Sequence, residues 1–264
     1  MLPALTALRR AVAVVALTMA GNTAAADVTL ETDIWPKVRA TLFGDRPIAD
    51  ATPQMLTLRA PARAMDAAVV PIALTAGETS VGQIRTLYLV IDHNPSPIAA
   101  VFRFGEAAAR AAIETRVRIE TYSPVRAIAE TADGRLFQVA QFIKAAGGCS
   151  APATFRDEDV RLGRMRLSVE QTGADGSAAA QLAVFHPNHS GLAMDQLTRL
   201  YAPAWYVRTI RVTHRDQLVL EADVDFSLSE NPNLRFWLRS RDGPLHAEAV
   251  DTRDLHFETS LDIR

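Results

Sequence analysis

The only cysteine of this 264-residue chain, Cys149, lies in the stretch KAAGGCSAPA, residues 144–153. A thiolate is a strong nucleophile whose access and local field decide its reactivity. Gly147 and Gly148 remove bulk on one side of the thiol and permit unusual backbone angles. Ser150 and Ala151 are small on the other side, and Pro152 stiffens the exit. Between Lys144 and Phe155 no side chain is large or charged. Such a segment suits an exposed arm that carries a covalent passenger into a narrow cavity of a partner. Lys144 is the nearby cation that would favour a thiolate or an anionic passenger. The competing reading is a small apolar side chain buried in a turn, since free cysteine is often buried. The bare neighbourhood argues against it.

Other residues that could do chemistry do not assemble into a site. His186 and His189 in HPNH form a pair, but a zinc site needs three or four ligands at defined spacing. Pro187 and Asn188 make the stretch a turn, expected to pack against the other half of the chain. A cysteine–histidine nucleophilic pair would need a third orienting group and an oxyanion site. Trp35, Trp205 and Trp237 sit in apolar patterns and read as core. No catalytic residue, metal ligand set or cofactor motif is expected.

The elements around the thiol are strands. A short helix is expected over 33–44, where Trp35, Val38 and Leu42 share a face. Runs at 54–61, 67–76, 84–93, 98–105, 114–123 and 125–143 then alternate with period two. Asp133-Gly134 inside the last run signals a hairpin, and Pro71 marks a bulge or an edge. After the thiol the alternation resumes at 163–172, 206–214, 217–226, 233–240, 244–252 and 255–263. Residues 170–181, rich in Gly, Ala and Ser, read as an exposed loop. The expectation is an all-β protein of two immunoglobulin-like β-sandwiches joined by a Gly/Ala/Ser linker that bears the cysteine. The boundaries are a signal over 1–26, a first sandwich over 27–148, the linker over 149–157 and a second sandwich over 158–264.

Composition is globular, 48% hydrophobic and 22% charged, and the low aromatic share of 6% leaves the core to Val, Ile, Leu and Ala. A net charge of −2 gives no footprint for nucleic acid or an anionic membrane. Arg9 and Arg10 followed by AVAVVALTMA, residues 11–20, read as an export signal cleaved between Ala26 and Asp27. The apolar run is shorter than the roughly 20 residues of a membrane span, so the mature protein is expected in a bacterial periplasm without a span. An unpaired thiol in such a compartment stands out, because oxidising conditions favour paired ones.

At the thiol the sequence resembles a known family. VRAIAETADGRLFQVAQFIKAAGGCSAP looks like the end of SoxY, the sulfur-carrier subunit of bacterial thiosulfate oxidation; VVPIALT, LYLVIDHNPSP and RVRIETYSPVRAIAE match its body. HPNHSG, APAWYVRTIRVTH and FSLSENPNLRFWL resemble its partner SoxZ. The whole is similar to fused SoxYZ-like carriers associated with quinoprotein dehydrogenases. The resemblance implies a carrier without catalysis or cofactor of its own, with a covalent intermediate on Cys149 and Gly147, Gly148 and Ser150 flanking it. It implies periplasmic partners that load and unload the thiol, among them a quinoprotein dehydrogenase and a metallohydrolase. The alternatives are a non-covalent docking module and a carrier of an aldehyde-derived acyl group. In the separate SoxY subunit the arm is a free C-terminus with glycine on both sides of the thiol. Here Ser150 follows and the chain continues, so the arm is held at both ends.

Overall fold

The computed structural model describes residues 30–77, 84–152, 154, 161–171, 177–195, 198–240 and 242–263. The signal region and its Ala26–Asp27 boundary lie outside these residues. Among the described residues the first half contributes one helix, α1 (Trp35–Phe43), and eight strands: β1 (Ile48–Asp50), β2 (Leu56–Arg59), β3 (Val70–Ala76), β4 (Ile84–Ile91), β5 (Ile98–Phe104), β6 (Ala112–Val117), β7 (Ser123–Thr131) and β8 (Leu136–Ile143). The second half contributes β9 (Met165–Gln171), β10 (Ala178–Val184), β11 (Val207–His214), β12 (Gln217–Val224), β13 (Asn233–Leu238), β14 (Gly243–Asp251) and β15 (His256–Ile263). Among the described residues no helix is long and apolar enough to cross a membrane.

Two sheets form the sandwich, and each runs through both halves. The nine-stranded sheet has the order β1-β8-β7-β4-β5-β12-β11-β14-β15, and the six-stranded sheet has β2-β3-β6-β13-β10-β9. The halves therefore join edge to edge, at the antiparallel β5–β12 pair in one sheet and the β6–β13 pair in the other. Joining them this way removes two strand edges from each sheet that would otherwise present unpaired backbone groups. A single apolar cluster runs between the sheets across the seam, from Ile72, Leu87 and Phe102 to Leu182, Ile210 and Phe236. The alternation that signalled strands is the reason: in β3 Val70, Ile72, Leu74 and Ala76 point inward and are buried.

The helix covers what alternation cannot hide. β7 is buried on both faces over most of its length, because Trp35, Val38 and Phe43 of α1 pack on Val90, Ile128 and Leu136. Pro36 starts this helix, where its missing N–H costs no hydrogen bond, and Gly44 ends it at φ 59°. The hairpin at Asp133-Gly134 is present between β7 and β8, with Gly134 at φ 82°. Pro71 lies in β3 beyond the last residue paired with β2, so one of its sides is a local edge.

Two expectations require correction. Residues 170–181 are not one exposed loop: Ala178, Ala179 and Ala180 open β10 and are fully buried between β9 and β13. Alanine suits that position because the neighbouring strand presents Phe236 and Trp237 opposite it. The run at 114–123 is not one strand either. β6 ends at Val117, and 118–122 leave the sheet before β7 begins.

Candidate functional site

The segment that leaves the sheet after β6 forms the seat of the thiol. Its backbone is fixed by donors and acceptors from several loops. Arg118 N donates to Ser227 O (2.7 Å), Ile119 N to Ala67 O (2.9 Å) and Glu120 N to Asn94 Oδ1 (2.9 Å). Asn94, 3% exposed, donates its amide to Arg118 O (2.8 Å) and Ser227 Oγ (3.0 Å). Buried amide groups of this kind are held by complete bonding, since each unmade bond costs about 1–3 kcal/mol.

The cysteine arm lies along this seat. Lys144 N donates to Ala62 O (2.9 Å), Gly147 N to Glu120 O (2.8 Å) and Gly148 N to Ile119 O (3.0 Å). The Glu120 carboxylate then takes three donors: Cys149 N (2.8 Å), Ser150 N (3.0 Å) and Ser150 Oγ (3.0 Å). Successive backbone N–H groups closing on one carboxylate make an anion-binding concavity. From the second half, the Ser190 hydroxyl donates to Cys149 O. Glu230 closes the far end by accepting from Thr154 N and Thr154 Oγ1, both at 2.7 Å.

The two glycines serve this seating in different ways. Gly147 has φ 81°, the left-handed region where a side chain is strained. A Cβ on Gly148 would stand 2.0 Å from Ala67 O and 2.7 Å from Ile119 N, so only glycine fits against that backbone. The exposed-arm expectation is thus corrected. Cys149 is 0% exposed and its arm is bonded down, although Ser150 beside it is exposed. The cause is tertiary: the chain on either side of the thiol has no bulk, so the arm can settle into the seam between the halves.

The field at the thiol is mixed. Burial, then the charge of Glu120, pushes the Cys149 pKa up to about 12; Asp225 adds to the rise and Arg118 opposes it. In this seat the group is a thiol at neutral pH, and a thiol is a poor nucleophile. The cation that acts on it is Arg118, not Lys144, whose side chain is exposed. Arg118 is 3% exposed and donates Nη1 to Asn188 O and Nη2 to Pro187 O (3.5 Å). Burial also raises the Asp225 carboxyl, to about 6.

The histidine turn is placed as a contact between halves, as expected of a loop packing on the other half. Its Pro187 and Asn188 carbonyls receive Arg118. His186 is fully buried, with Nε2 at 3.3 Å from Asp251 Oδ2 and Nδ1 accepting from Asn188 N (3.0 Å). The same Asp251 oxygen accepts from Trp205 Nε1 (2.7 Å). Trp35, Trp205 and Trp237 are buried. Arg118, Glu120, Asn94, Ser190 and Glu230 lie in the stretches that carry the family resemblance, but no local spacing marked them as site residues, because their partners are distant along the chain.

Residues 39–149 match the family described as sulfur oxidation protein SoxY, and 165–262 match that described as sulphur oxidation protein SoxZ. The first match ends on Cys149. No curated protein matches the chain. Among solved structures, the sulfur carrier protein SoxY from Chlorobium limicola f thiosulfatophilum is similar at 20% identity and a TM-score of 0.35, over 42% of this chain and 91% of that one. A β-glycosidase from Bacteroides vulgatus is similar at 8% identity and a TM-score of 0.22, over 81% of this chain. A Parabacteroides merdae β-glucuronidase follows at 9% and 0.25, over 80%. The chain spans only 25% and 24% of those two enzymes. With a SoxY match and a SoxZ match in order along one polypeptide, the chain is a fused SoxYZ-like protein of the sulfur-oxidation carrier family.

Proposed function

We propose that this protein carries a covalent sulfur intermediate on Cys149 and presents it in turn to enzymes of the bacterial periplasm. The observation that supports this most is the position of the thiol. Cys149 is the last residue of the SoxY match and lies where both halves contribute to its seat, Glu120 from one and Ser190 from the other. Export follows from the signal read over residues 1–26. The partners are the enzymes that load and unload the thiol, a quinoprotein dehydrogenase and a metallohydrolase among them.

Because the seated thiol is closed, the carrier works by release. The arm leaves Glu120 and Ser190, the thiol ionises in water, and the passenger is exchanged. Both ends stay tethered, so partners receive a loop. Intact mass of the protein purified from its own source tests the reading. An added sulfur mass on Cys149, removed by a thiol reductant and absent from Cys149→Ser, is expected. A hydroxylamine-labile adduct without sulfur would replace the passenger by an acyl group. An unmodified thiol in every growth condition would overturn the carrier reading.

The 0% exposure and raised pKa of Cys149 favour a second reading, a docking module in which the thiol is structural. Native labelling separates the two: the docking module leaves Cys149 unreactive until the protein unfolds.

A further inference from the structure

We propose that Arg118 is a positioning residue that holds the negative end of the passenger on Cys149, and so selects an anionic sulfur group over a neutral acyl group. This rests on the reading of Cys149 as the carrier thiol. Arg118 is buried and, among the described residues, its hydrogen bonds reach no carboxylate; the charges of Cys149 and then Glu230 act on it without contact. Its two Nη groups meet neutral carbonyls, and its Nε–H has no acceptor among the described residues. A buried guanidinium without a counter-ion in contact is costly, and an unused donor adds to the cost. Such a group is completed when an anion arrives.

Its place identifies that anion. Arg118 directly precedes Ile119 and Glu120, the residues that bind Gly148, Gly147 and Cys149. Arg118 and Cys149 are also bonded to the same turn of the second half, at Asn188 and Ser190. The other charges acting on the thiol, Glu120 and Asp225, are acidic and repel a negative passenger. A thiosulfonate on Cys149 ends in a sulfonate, and a persulfide ends in an ionisable sulfur. Either supplies the charge and lone pairs that Arg118 lacks. An acyl thioester is neutral and supplies no charge.

Two small adducts on the full chain test this. Tetrathionate loads a thiosulfonate: the Cys149 thiolate attacks an inner sulfur, the new S–S bond forms, and thiosulfate leaves with the electron pair of the broken bond. The thiol proton goes to solvent. Methyl methanethiosulfonate loads a neutral methyl disulfide, with methanesulfinate leaving. Release by dithiothreitol is timed by intact mass in the folded protein and in the urea-unfolded chain. The folded protein is expected to slow release of the thiosulfonate at least tenfold more than release of the methyl disulfide. Arg118→Lys keeps most of that difference, and Arg118→Gln abolishes it. Equal protection of both adducts in the unaltered protein overturns the role of Arg118, as does full protection in Arg118→Gln. If Arg118→Gln fails to fold, the comparison of adducts in the unaltered protein decides alone. Failure of both reagents to modify the folded protein overturns the carrier reading itself, and the Arg118 role with it.

Discussion

Arg126 and Arg118 are both buried, at 2% and 3% exposure, and their surroundings differ in kind. Arg126 meets Asp92 through Nε at 2.9 and 3.1 Å and through Nη2 at 2.9 Å. Its Nη2 also donates to Leu30 O, and its guanidinium lies 4.6 Å above the Trp35 ring. Asp92 also accepts from Thr32 Oγ1 at 2.8 Å. That network is closed, and it ties the chain before α1 to the middle of the nine-stranded sheet. Arg118 has carbonyls instead of a carboxylate, and one donor unused. The difference teaches where the fold is finished. A complete network of buried charge specifies the scaffold; an incomplete one beside a thiol marks where another molecule enters.

Asp92→Asn gives the largest expected effect, because it leaves Arg126 buried and unpaired. A loss of about 3–5 kcal/mol is expected in urea unfolding. A loss below about 1 kcal/mol would mean that the closed network is no scaffold, and the comparison would break.

The second effect sharpens the contrast from another closed network, that of His186. Burial lowers the His186 pKa from 6.5 to about 4, against the pull of Asp251. The neutral imidazole is favoured in the fold, so its contribution is complete above pH 6.5 and is lost as pH falls through 4. The span corresponds to about 3 kcal/mol. Asp225 acts oppositely: its folded value of about 6 lies above the ordinary 3.8, so stability is gained as pH falls through that window. Thermal unfolding from pH 7 to 4 in Asp225→Asn should isolate the loss from His186, and His186→Gln on that background should flatten it.

A smaller effect is expected from the latch. Glu120→Ala removes three bonds that hold the arm, each worth about 1.5–3 kcal/mol when the acceptor is charged, offset by hydration of the released groups. Cys149 should then react with a neutral thiol reagent at least about tenfold faster, with the global fold retained. An unchanged rate would show that Glu120 does not keep the arm closed.

Arg118→Met should change stability least. It removes a buried charge that has no counter-ion in contact and leaves two carbonyls short of a donor, for a net loss below about 2 kcal/mol. If it costs as much as Asp92→Asn in the same urea series, Arg118 is a structural cation and the two arginines are alike.

Much of the fold was legible because alternation reports burial directly. β4, β5, β11, β12 and β14 lie where the period of two places them. The hairpin at Asp133-Gly134 and the helix face of Trp35 and Val38 are local features, and local features are written locally. β10 was missed because three alanines carry little hydrophobic signal and follow a glycine-rich stretch. Strand β1 was missed because its three residues pair in parallel with distant β8, so no local pattern marks it.

By itself the sequence determined an all-β chain of two related halves, a single thiol on a bare stretch between them, and the SoxY and SoxZ resemblance. Only the tertiary structure decided that the sheets run on through both halves and that the thiol is closed into their seam. Composition shows that an arm lacks bulk; it does not show whether that bareness serves reach or close packing. Here Gly148 answers, since its missing Cβ is the space filled by Ala67 O. Glu120, Ser190 and Arg118 act on Cys149 across separations that no local spacing records, because the edge-to-edge pairing of two sheets is what brings them there.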